Sequence, residues 1–214
     1  MKNLDESNER VIHRLEAFSD IVIGFSLAQL GLNLAVPAHV RDIFTHPVPI
    51  IALVITFSIV CRLWWSHHKL FTHSFVPSRV AITLNFVTLG MLLFSVYTVQ
   101  LFVHSFLGAA DKDALLLYLA SFGLMFLLLG AQYLYGWNIR RSVLPPEIAG
   151  HGLRNGVAQV VVGVTMLAGG ALGATLGFQA RYFAVLALAI AFLARFTREA
   201  VKRYASDERA PQVG

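Results

Sequence analysis

Six long apolar runs, roughly 18–36, 48–66, 80–106, 114–137, 154–178 and 181–197, take up most of the chain. Each matches the ~20 residues that a helix needs to cross a hydrocarbon core about 30 Å thick. Strands are a poor fit, because the runs are too long and lack strict alternation. Backbone groups in lipid must satisfy one another, which also selects helices. The predicted fold is an all-α membrane protein with six transmembrane helices. Charge agrees: only 14% of residues are charged, against about 25% in soluble domains. The sequence pI near 9.7 raises nucleic acid as a partner. The cations sit in the breaks between apolar runs and form no basic face on a soluble domain, so that reading is set aside.

The breaks carry turn chemistry. Pro37, Pro47 and Pro49 bracket the first, Pro77 precedes the third run, and LPPEIAG at 144–150 follows the fourth. With six crossings, fourteen of the seventeen Lys and Arg fall on one side, leaving Arg41, Lys112 and Arg181 on the other. The positive-inside rule then puts both termini in the cytoplasm. Residues 1–16 carry Lys2, Arg10 and Arg14 against Asp5, Glu6, Glu9 and Glu16. That is not the cationic start of a signal peptide, so the first helix is expected to stay in the mature protein. The domain expectation is one six-helix unit over 1–200 and a flexible cytoplasmic tail over 201–214. The single cysteine, Cys61, rules out an intrachain disulfide.

Polar residues inside the runs are the informative ones. At 100° per residue, Ser19, Ser26, Gln29 and Asn33 form a stripe on the first helix. A second face runs through Phe25, Gln29 and Leu32, and Gln29 lies where the two overlap. Such a stripe faces protein or water, either as glue between helices or as the lining of a water path. Asp20 lies about one turn inside the boundary and requires a partner at that depth, with Arg14, His67 and His68 the candidates. His67, His68 and His73 crowd the end of the second run, but no HExxH or cysteine pair accompanies them, so no metal site is expected. Asn85 lies at the same depth on the third run. A polar cluster of Arg14, Ser19, Asp20, His67 and Asn85 would tie the first three helices together. On the fifth run, Gly152/Gly156 and Gly169/Gly173/Gly177 have the small-xxx-small spacing of close helix packing.

Arg14, Phe18, Ser19 and Asp20 spell RxxxFSD, which resembles the signature of the transmembrane protein 175 family, potassium channels of endolysosomes and prokaryotes. The string WWSHHKLF resembles that family's W-x-x-H-x-x-L-F, with Trp64, His67, Leu70 and Phe71 at the matching positions, and Asn85 matches its third-helix Asn. The resemblance implies a homotetramer in which four first helices line a central pore. It implies no carbonyl filter and no cofactor. The family's constriction is built from large aliphatic side chains, the first five residues past the Asp. The matching positions here are Phe25, Gln29 and Leu32, with Ser26 beside them. Two departures stand out: the aliphatic ring becomes Phe25 and Gln29, and Leu27–Ala28 replaces the usual Ala-Thr.

The expected function is a potassium-permeable leak channel in a prokaryotic plasma membrane, closed by dewetting at Phe25 and Leu32. Its partners would be potassium or other monovalent cations, membrane lipids and further copies of the chain. The alternatives are a proton-coupled transporter using Asp20 and His67, or a non-conducting membrane interaction protein. An enzyme ranks last: no nucleophile motif, phosphate loop or dinucleotide fingerprint is present.

Overall fold

The structure, a computed structural model, describes residues 2–32, 40–45, 48–107, 112–143 and 146–176. The elements are α1 (Lys2–Leu32), α2 (Val40–Thr45), α3 (Val48–His73), α4 (Arg79–Leu107), α5 (Lys112–Arg140) and α6 (Pro146–Leu176). Five of these, all but the short α2, are long and apolar enough to cross a membrane. The sixth expected segment, 181–197, and the tail lie outside the described residues, as does Asn33.

The helices overrun the apolar runs. α1 begins well before residue 18, since Leu15 is buried and Ile12 packs against the core. α3 continues to His73 because Leu70 and Phe71 are still buried. α6 starts on Pro146, where a proline costs no hydrogen bond. Ser78 caps α4 by accepting from the Ala81 amide at 3.1 Å, directly after the helix-breaking Pro77. The end of α3 is capped from another helix. Arg140 donates to the carbonyls of Phe75 at 2.8 Å and His73 at 3.2 Å.

α5 and α6 pack most closely, and glycines set the distance. A Cβ on Gly163 would lie 2.7 Å from the Gly123 carbonyl oxygen, and one on Gly130 would lie 3.0 Å from that of Gly156. The two pairs run in opposite order along the chain, so the helices are antiparallel. Gly156, Gly163 and Gly170 recur every seven residues on α6 and face α5. The expected Gly152 and Gly156 do make close approaches, to Trp137 and Ser74 and to Leu134 and Tyr133 respectively. α4 packs on the other side of α5, with Phe102 stacked on Tyr118 at 5.4 Å and Thr98 hydrogen-bonded to Ser121 at 2.9 Å. α1 is the outlying helix, resting on α3 and α4.

Candidate functional site

α1 presents two different faces. Leu15, Ser19, Ile23, Ser26 and Leu30 are buried against α3 and α4. Phe18, Ile21, Phe25, Ala28 and Leu32 recur at three- and four-residue steps on the opposite side and are exposed in the single chain. Leu32 is 82% exposed and Phe25 58%. This is the spacing of a seam that meets another helix. Gln29 is half-buried, on the flank between the two faces.

Ser26, expected beside Phe25 and Leu32, is instead fully buried. Successive residues on a helix are about 100° apart, so Ser26 turns inward where Phe25 turns outward. Its hydroxyl donates to the Val22 carbonyl at 2.8 Å. Ser19 does the same to Leu15 at 2.7 Å. A serine that returns its hydroxyl to its own helix behaves as a small packing residue, so its polarity need not face water.

Near one end of the bundle, Ser19, His67 and Asn85 meet. The bond directions follow from simple exclusion. Ser19 spends its hydroxyl hydrogen on Leu15, so its oxygen can only accept, and the Asn85 amide N–H supplies the bond at 3.1 Å. The Asn85 oxygen therefore faces His67 and accepts from Nε2–H at 2.7 Å. His67 Nδ1 is left buried without a protein partner. Three residues from α1, α3 and α4 are thus joined inside the chain.

Asp20 joins this level differently from the expected pairing. Its carboxylate accepts from the Trp64 indole N–H at 3.0 Å, rather than from Arg14, His67 or His68. His68 instead meets Glu16 at 3.0 Å. Arg14 is exposed, on the same side of α1 as the apolar seam. Phe18 closes edge-on against Phe86 at 5.8 Å. The bracket between α1, α3 and α4 is therefore made of a buried amide–imidazole link, an indole–carboxylate bond, an imidazole–carboxylate hydrogen bond and an aromatic contact.

The level extends further than the sequence reading reached. Gln132 donates to Thr88 at 2.7 Å and Gln159 donates to Ser66 at 2.6 Å. Tyr133 donates to the Ser66 carbonyl. With Ser19, His67 and Asn85, these bonds link all five long helices. The available signal was an amide inside an apolar run, near its end at Gln132 and near its start at Gln159. Among the described residues no cluster of His, Cys, Asp and Glu is arranged to hold a metal ion.

The fold is that of a polytopic helical membrane protein, with a bracketed outer helix on a tightly packed core. Residues 14–96 match the family model described as the endosomal/lysosomal potassium channel TMEM175. This is the family that the RxxxFSD, Trp–His and Asn85 residues resemble, and the matched stretch contains all of them. Two solved structures share the fold over nearly the whole chain. One is the potassium channel MtTMEM175, as its T38A variant bound to a nanobody–MBP fusion: 20% identity, TM-score 0.62, covering 91% of this chain and 93% of that one. The other is a lysosomal potassium-selective channel TMEM175 homolog from Chamaesiphon minutus: 17% identity, TM-score 0.62, covering 88% of this chain and 98% of that one. At these identities the likeness is one of fold. No curated protein matches the chain.

Proposed function

We propose that the chain is the subunit of a potassium-permeable cation channel, a homotetramer in which four α1 helices surround a central pore. The observation that carries this is the face of α1. Ile21, Phe25, Ala28 and Leu32 form an apolar seam that no described residue of their own chain covers, while the opposite face is bonded into α3 and α4. A helix braced on one side and bare on the other can meet copies of itself around a symmetry axis. The family match over 14–96 and the channel names of the two structural neighbours support the same reading.

In this assembly Phe25 and Leu32 form apolar rings that dewet the pore, and Gln29, on the flank of the seam, supplies a polar ring between them. Phe18, Ser19, Asp20, Trp64, His67 and Asn85 hold the helix in place. The sixth crossing expected over 181–197 lies outside the described residues. The Lys and Arg distribution favours a cytoplasmic side for both termini. The transporter alternative asks Asp20 and His67 to exchange a proton. Asp20 is engaged by Trp64 and His67 by Asn85, which favours bracing over transport.

The test is flux into liposomes holding the purified protein, comparing potassium, sodium and protons, alongside its mass in detergent. Potassium flux and a mass of about four chains are expected, with Gln29→Leu altering the potassium-to-sodium ratio. A monomer, or no flux of any cation, defeats the proposal.

A further inference from the structure

A second cluster lies apart from the α1 seam, where the end of α3 meets the start of α6. Gly152 is buried there, and a Cβ on it would lie 3.3 Å from the Ser74 hydroxyl and 3.2 Å from Trp137. This close approach brings His151 against His73, with the two rings stacked at 6.3 Å between centroids. Arg154, one turn along α6, donates to His151 Nδ1 at 2.7 Å. Lys69, one turn back along α3, stands over the Trp65 ring at 5.1 Å. The charged neighbours that bear on His151 are Arg154, His73 and Lys69, all of them cationic or able to become so.

The chemistry of these donors is directional. Because Arg154 fills the lone pair of Nδ1, the proton of the neutral His151 ring sits on Nε2, a donor on an exposed side chain. The Arg154 guanidinium has further N–H groups and the Lys69 ammonium has three. His73 turns Nδ1 back to the Lys69 carbonyl at 3.3 Å. Arg140 fixes the carbonyl of His73 from a third helix. The result is a concentration of outward donors and positive charge on an anchored base, which suits an oxyanion.

Location selects the source of that oxyanion. His73 is the last residue of one spanning segment and Gly150 the first of another, so the cluster lies at the membrane boundary. Trp65 is exposed directly beneath Lys69, as expected of a side chain at the headgroup level. We infer that Lys69, His151 and Arg154 form a binding site for the phosphodiester headgroup of an anionic phospholipid. The site is independent of the pore and stands whether or not the chain conducts.

The experiment is native mass spectrometry of the purified protein in non-ionic detergent, titrated with phosphatidylglycerol or phosphatidylcholine. The wild-type chain retains phosphatidylglycerol in preference to phosphatidylcholine. The double variant Lys69→Gln/Arg154→Gln binds phosphatidylglycerol about tenfold more weakly and phosphatidylcholine unchanged. A control with the same charge loss elsewhere, Arg62→Gln/Arg79→Gln, stays within about twofold of wild type. If the double variant does not purify as a single species, Lys69→Gln and His151→Phe are read singly, each expected about threefold weaker. Equal weakening in the control reduces the effect to diffuse attraction and overturns the site. Displacement of the lipid by an equal concentration of inorganic phosphate overturns the lipid assignment.

Discussion

Asn85 is the residue whose removal tests the bracket most sharply. It joins His67 at 2.7 Å and Ser19 at 3.1 Å while fully buried itself. Leucine shares asparagine's branching but is larger, so Asn85→Leu removes hydrogen bonding without opening a cavity, with some crowding added. The two losses differ in kind. Ser19 keeps its bond to the Leu15 carbonyl, so its side of the link costs little. His67 is 1% exposed and already has Nδ1 without a partner. In the variant its Nε2–H becomes a second unsatisfied group, and a buried unpaired donor costs about 1–3 kcal/mol. Side-chain hydrogen bonds between membrane helices average about 0.6 kcal/mol and reach about 1.7, which sets the lower bound. The expected loss is about 2 kcal/mol for Asn85→Leu and under about 1 kcal/mol for Ser19→Ala. Adding His67→Phe to Asn85→Leu removes the orphaned donor and preserves the aromatic contact with Phe71. The double variant should therefore be less destabilised than the sum of the singles, by about 1 kcal/mol or more. Reversible unfolding in mixed detergent–SDS micelles measures all four proteins. The reasoning fails if Asn85→Leu lies within about 0.5 kcal/mol of wild type, or if the two substitutions simply add.

Other consequences can be checked in the same preparations. Gly163→Ala places a methyl against the Gly123 carbonyl and should cost about 1–3 kcal/mol. Gly150→Ala meets nothing within 4 Å and should be neutral or stabilise by up to about 1 kcal/mol; equal effects in the unfolding assay would show that close α5–α6 packing is not the cause. Trp64→Phe and Asp20→Ala each break the same bond, so each should lose about 1 kcal/mol and the pair no more than either alone. Additive losses would mean that the two residues act separately. Phe25→Ala should raise potassium flux severalfold in liposomes by relieving an apolar ring, and an unchanged rate would take Phe25 off the conduction path.

Much of the chain was legible in the sequence because the bilayer imposes a rule on length and polarity. The runs around 80–106 and 114–137 became α4 and α5 with ends displaced by a few residues. Helix ends were less legible, since Leu15 and Leu70 continue the buried face beyond the apolar runs. The depth of Ser19, His67 and Asn85 could be read, because each is polar near the end of an apolar run. Their partners could not. Asp20 had three basic candidates nearby in depth and took a neutral indole instead. Ser26 was set beside the pore positions by the resemblance, but its hydroxyl bonds a helix carbonyl four residues back and its side chain packs inside.

The sequence alone determined that this protein is helical, lies within a membrane, and carries polar groups at one depth on successive helices. Those properties depend on hydrophobicity and spacing, which each segment expresses without its neighbours. The tertiary structure alone decided which face of α1 is buried, which glycines meet across α5 and α6, and that Gln132 and Gln159 extend the polar level to the far helices. It also brought His73 and His151, 78 positions apart in the sequence, into one cationic cluster. Helix rotation and helix order settle such matters. Both are fixed by close packing among five long helices, and no single segment encodes them.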